Sequence, residues 1–217
     1  GAAEASALND LLLPLVKGYC SEKVYELLSL SLQTYGGSGY LADYPIEQYL
    51  RDQKIDTLYE GTTHIQALDL LLRKVARDGG QTLGTLLGRI GRTLEVQEGG
   101  AALAEERALL GTGLEALQTA LGTLLQKLGE SVYHVGLQGN RVLFALAELV
   151  IGWLLVRHAA LALQKAPGST GPERAYYEGK VASARFFCRE VLPGLTLSAQ
   201  HVANGTLLAM EVGEASF

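Results

Sequence analysis

Three observations predict an all-α protein assembled as helical bundles. Leu and Ala dominate a sequence that is 48% hydrophobic, and both residues favour helix. Only 5 prolines interrupt the 217 residues, and the β-branched or aromatic runs that would mark strands are few. Apolar residues recur at three- and four-residue spacing between clusters of glycine, which is the pattern of amphipathic helices. A chain of this length can bury one sizeable core or two small ones.

The first helix is expected from about Leu11 to Leu32, with Asn9 or Asp10 as its cap and Pro14 in its first turn. Leu15, Tyr19, Val24, Leu27, Leu28 and Leu32 give it a broad apolar face, so it should be covered on more than one side. Gly36, Gly37 and Gly39 break it. One glycine would suffice for a helix stop, and the extra ones also allow a ligand phosphate or another chain to approach the backbone. Residues 40–58 are a connector with one short helix near Ile46–Leu50. The next helix opens at Thr63, since Thr63 and Gln66 have the spacing of a capping box. Ile65, Leu68, Leu71, Leu72 and Val75 carry it to about Arg77. Asp78-Gly79-Gly80 closes it and divides the chain into residues 1–80 and 81–217.

The second region reads as further helices over about 81–96, 102–128 and 132–165, then one from Pro172 that Pro193-Gly194 splits before Thr196–Leu208. Leucines at 110, 114, 117, 121, 124 and 128 form the stripe of an antiparallel bundle or a coiled coil. Residues 211–217 read as a tail.

Several function classes fall away. A net charge of -5 without a basic stripe argues against nucleic acid as a partner. The apolar run Val142–Val156 is shorter than the roughly 20 residues a membrane span needs, and it carries Glu148, so a buried bundle helix is expected. Cys20 and Cys188 lie far apart without metal-ligand spacing and read as buried thiols of a reducing, cytoplasmic compartment. His134, His158 and His201 sit singly, so no metal site is expected. The opening Gly1-Ala2-Ala3 reads as a cut end.

Tyr59-Glu60-Gly61-Thr62-Thr63 is the stretch with chemical content. A carboxylate just before a helix, beside a glycine that cannot block approach, could act as a base next to a ligand. It could equally serve only to complement the helix dipole, which is the commoner use of an acid there.

Upstream lie Gln33-Thr34-Tyr35-Gly36-Gly37-Ser38-Gly39-Tyr40 and Arg51-Asp52-Gln53-Lys54-Ile55, followed by Tyr59-Glu60-Gly61-Thr62. In that order and spacing these resemble the C-terminal signature of the flavin-dependent acyl-CoA dehydrogenases. The run from Leu11 to Glu22 is similar to the branch that contains the methylthiopropanoyl-CoA dehydrogenases, which has an extra C-terminal helical region. The resemblance implies part of the family's C-terminal four-helix bundle over residues 1–80 and the additional helical domain over 81–217. The family's N-terminal helical and middle β-domains have no counterpart here, so the chain reads as the C-terminal portion of a longer enzyme, inactive by itself.

The resemblance also implies a reaction, oxidation of an acyl-CoA thioester between its α and β carbons with FAD as hydride acceptor. Glu60 aligns with the base that removes the α proton, and such a base needs a pocket that loses water on substrate binding. Gly61 would let the thioester pass close to the backbone. Thr62, Thr63 and Gln66 align with residues that touch the flavin. Gln33, Gly36 and Gly37 align with the turn that receives the ADP part of FAD from a neighbouring subunit. A homodimer at least is implied, with an electron acceptor such as an electron-transfer flavoprotein. Two other readings stay open on sequence: an acyl-CoA oxidase fragment, and a non-catalytic helical interaction or oligomerisation module.

Overall fold

The computed structural model describes residues 1–216, which form helices and turns with no strand, as an all-α chain should. They fall into two compact units, one spanning Gly1–Thr82 and a second starting at Leu83.

The first unit is organised by α1 (Ala2–Thr34), against which α2 (Ile46–Lys54) and α3 (Thr63–Leu68) pack. α1 begins at Ala2 rather than near Leu11 because Asp10 caps nothing. Its carboxylate instead pairs with Lys74 and, at 3.7 Å, with Arg77. The Ala-rich segment before it has the propensity to continue the helix. Pro14 therefore lies inside the helix, not in its first turn. Its missing N–H removes one bond from the helical ladder, while its ring is buried with Leu11 and Leu15. The apolar face of α1 is only partly covered within this unit: Leu13, Val16, Leu27 and Leu30 remain exposed.

α3 also departs from expectation. After Leu68 the chain widens into a π-helical stretch, Asp69–Val75. The residues buried toward α1 are Thr63, Ala67 and Leu70, whereas Ile65 and Leu72 are exposed. Leu68, Leu71 and Val75 are half-buried, so apolar spacing found only part of the inward face, whose start is a threonine and an alanine. The capping box does not form either. Thr62 holds the N-cap position without a side-chain capping bond, and Thr63 and Gln66 direct their side chains elsewhere.

The second unit contains α4 (Gln81–Glu95), α5 (Ala104–Leu128), α6 (Tyr133–Lys165), α7 (Gly171–Glu190) and α8 (Gly194–Asn204). α6 packs on α5 and α7, and α8 lies on α5 and α6. The buried seam of α5 is Glu106, Leu110, Gly113, Leu114, Leu117, Ala120 and Leu124, so four leucines of the stripe read in the sequence are buried, with Leu121 and Leu128 half-buried beside them. Gly113 widens the seam beyond the leucines, since a side chain there would stand 3.3 Å from Leu195 and 3.5 Å from Leu149. The glycine lets α8 and α6 close on α5. The seam also takes in a carboxylate, Glu106, which faces Arg189 at 3.7 Å and Arg185 at 3.8 Å. Cys188 is buried near it, and burial first, then the Glu106 charge, push its thiol up to about 12. Cys20, by contrast, is exposed, so only one of the two thiols is the buried kind expected.

α5 and α6 are long and apolar enough to cross a membrane by length and composition, which corrects the shorter span counted from Val142 to Val156. In α6, 56% of the most apolar window is buried inside the protein, as a central bundle helix requires. Trp153 on α6 shows how polar atoms are satisfied there: its indole N–H donates to the Thr93 hydroxyl at 2.8 Å, both groups being buried. Trp153→Ala removes that bond and leaves a large void, so we expect a loss of about 3–5 kcal/mol, read from the denaturant midpoint of the purified chain. Thr93→Val strands only the N–H and should cost less, on the order of 1–3 kcal/mol.

Candidate active-site turn

The first unit places Glu60 at a backbone turn of unusual geometry. Glu60 has φ 56° and Gly61 follows at φ 92°, and Glu60 is one of two non-glycine residues with positive φ among those described. A non-glycine residue there pays a steric penalty of about 1–2 kcal/mol. Gly61 is needed for its own conformation, and a side chain on it would also press within 3.2 Å of Ile65 and 3.1 Å of Gln66.

Three side-chain bonds hold the turn. Lys17 of α1 donates to the Gly61 carbonyl at 2.6 Å. Gln66 reaches back from α3 to the Glu60 carbonyl at 3.0 Å. Thr63, buried, donates its hydroxyl to the Glu22 carboxylate of α1 at 2.5 Å. Each uses the main chain or a neighbour of Glu60, so the Glu60 carboxylate itself is left exposed. It borders a cleft of about 270 Å³ whose other walls include Lys17, Cys20 and Val24 of α1, together with Asp56 and Tyr59. The Tyr59 hydroxyl is held above its usual range by the charge of Asp56 and, next, of Glu60.

The glycine turn after α1 lies in the same unit. Gln33 ends the helix exposed, and Gly36, at φ 58°, opens the 3-10 turn Gly36–Tyr40. Gly36 and Gly37 are exposed, with open space where a side chain would stand. Gly39 is the glycine that packing demands, because a Cβ there would lie 2.5 Å from the Leu32 carbonyl oxygen. That requirement is local and structural, so the backbone left accessible is that of Gly36 and Gly37. Such an open turn, with its backbone not walled off by side chains, leaves room for a phosphate-bearing group to approach. Thr62 is likewise exposed.

Sequence reasoning singled out Glu60, Gly61, Gln66 and Thr63 but missed Lys17 and Glu22, the two α1 side chains that bind the turn. Neither stands at a motif spacing, since they reach residues 44 and 41 positions away.

Comparison with known proteins gives a consistent result. The family model described as "Acyl-CoA dehydrogenase, C-terminal domain" matches residues 2–75, and "Acetyl-CoA dehydrogenase C-terminal like" matches residues 86–213. The broad-specificity linear acyl-CoA dehydrogenase FadE5 of Mycobacterium tuberculosis is 47% identical, over 98% of this chain and 36% of that protein. The 3-methylmercaptopropionyl-CoA dehydrogenase of Ruegeria pomeroyi is 38% identical, over 92% of this chain and 33% of its own length. An acyl-CoA dehydrogenase from Bacillus anthracis, solved in complex with FAD, superposes with a TM-score of 0.67 at 24% identity, covering 94% of this chain and 34% of that one, a likeness of fold. The chain thus spans about a third of the length of the curated relatives it matches. With both of its units matched by C-terminal models of one kind, the chain belongs to the acyl-CoA dehydrogenase family and corresponds to its C-terminal region.

Proposed function

We propose that this chain is the C-terminal part of an FAD-dependent dehydrogenase that oxidises an acyl-CoA thioester between its α and β carbons, with Glu60 as the base. The observation that carries the proposal is the turn itself. It holds a carboxylate in a costly backbone conformation, ties the surrounding main chain at Lys17 and Gln66, and opens the acid onto a cleft. Strain that the surroundings over-determine in this way is a mark of functional positions.

In this reading the Glu60 carboxylate takes the proton from the α carbon, the C–H bond breaking toward the carboxylate oxygen. Gly61 leaves the approach to that oxygen unobstructed. FAD, when bound, supplies the acceptor for the hydride that leaves the β carbon. Gln33, Gly36 and Gly37 would hold its ADP end by exposed backbone and amide groups, and Thr62 and Gln66 would lie nearer its ring. Thr63 has already committed its hydroxyl proton to Glu22, so it could only accept a hydrogen bond from the cofactor. A homodimer, cytoplasmic location and an electron-transfer flavoprotein as acceptor accompany the proposal. The oligomerisation-module reading is the weaker one, because a purely structural turn would gain stability from glycine at position 60.

The direct test is anaerobic mixing of the complete flavoenzyme with saturated acyl-CoA thioesters of graded length. Loss of flavin absorbance with formation of the 2-enoyl product is expected, and an unchanged spectrum with every thioester would defeat the proposal.

A further inference from the structure

We infer that Lys17 is a positioning residue for Glu60, acting through the Gly61 carbonyl; the inference rests on the reading of Glu60 as the base. Glu60 and Gly61 both have positive φ, so the two peptide planes that flank Gly61 are fixed by nothing in the helical ladder. Each plane is fixed instead by a side chain. Gln66 holds the plane carrying the Glu60 carbonyl at 3.0 Å, and Lys17 holds the next one by the Gly61 carbonyl at 2.6 Å.

The two ties are not equivalent. Gln66 belongs to the helix that the turn leads into, so it moves with the turn. Lys17 belongs to α1, the helix against which that segment packs, and it spans 44 residues to make its bond. It therefore sets where the turn sits relative to the cleft wall, of which Lys17 and Glu60 are both part. Among the described residues Lys17 has no carboxylate partner, and its ammonium stands 5.9 Å from the Tyr59 ring centroid. A half-buried ammonium bonded to one carbonyl, with no ion pair to explain its burial, is placed to direct that carbonyl. The Thr63–Glu22 bond anchors the start of α3 to the same helix, so it keeps the segment docked when Lys17 is changed.

The consequence is a selective defect. Without Lys17 the fold and the substrate-binding surfaces remain, while the base loses its registration. Displacement of a catalytic group by about 1 Å lowers the rate on the order of a hundredfold. The experiment compares Lys17→Met and Lys17→Arg in the complete enzyme, with Glu60→Gln beside them. Lys17→Met should lower kcat by roughly 10- to 100-fold with KM nearly unchanged and full flavin content. Lys17→Arg, which still donates to one carbonyl, should recover most of the rate. Amide hydrogen exchange on the chain itself should quicken at Gly61 and Thr62 in Lys17→Met but not along α1. Normal kcat in Lys17→Met beside an inactive Glu60→Gln would overturn the Lys17 assignment alone. Normal turnover of Glu60→Gln would instead remove the base reading beneath it. Equal loss of flavin, fold and activity in both lysine variants would make Lys17 structural and also overturn the assignment.

Discussion

Glu60→Gln in the complete enzyme should lower turnover by roughly 10²- to 10⁴-fold or more, the range that general-base catalysis supplies. Flavin content and thermal stability should stay near those of the unchanged protein. The reason lies in what holds the turn: the Lys17 and Gln66 bonds end on main-chain carbonyls, and glutamine keeps both of those acceptors in place. Glutamine is also isosteric with glutamate and suffers the same positive-φ penalty, so the turn is no more strained than before. Only the ability to accept a proton is removed. Rapid-mixing measurement of flavin reduction is the appropriate readout, since it isolates the proton and hydride step from later reoxidation. Reduction at the unchanged rate would take Glu60 out of the mechanism.

Purified by itself, the 217-residue chain should be colourless, and adding FAD with an acyl-CoA thioester should produce no flavin bleaching. The proposed base is present, but its carboxylate is exposed to water in this chain, bordering a cleft of only about 270 Å³. A general base works when substrate and acceptor are held within hydrogen-bonding reach and near-attack distance of it. The relatives devote about two thirds of their length to parts without counterpart here, since the chain covers 36% and 33% of two of them. Absorbance between 350 and 500 nm (roughly the flavin bands) and a stoichiometric titration settle the matter. A yellow preparation that bleaches on adding thioester would show that this chain holds a complete site.

Helix boundaries were most legible where punctuation is chemical. Pro193-Gly194 divides α7 from α8, and the Pro167-Gly168 segment ends α6, because proline cannot donate and glycine does not favour helix. At 60–61 the sequence marked a carboxylate beside a glycine ahead of a helix, but the conformation of the turn was not legible, since no local rule makes Glu60 adopt positive φ. Faces were less legible than lengths. On α5 the true seam includes a glycine and a glutamate, which no apolar pattern would nominate. On α3 it includes Thr63, recruited by a hydrogen bond to a residue 41 positions earlier. Asp10 misled in the opposite direction, looking like a cap while serving as the partner of Lys74 in the folded unit. Each of these depends on a partner distant in sequence, which periodicity cannot see.

The conformation of Glu60 has a bearing on how such a chain would change over generations. Glycine at that position would relieve the steric penalty of a side chain at φ 56° and make the turn easier to form. Selection for stability alone therefore pulls position 60 away from glutamate, and only selection for the carboxylate opposes it. In a lineage released from catalysis, that position would drift first, toward glycine or asparagine, while Lys17 and Gln66 could linger as relics bonded to a turn that no longer needed them.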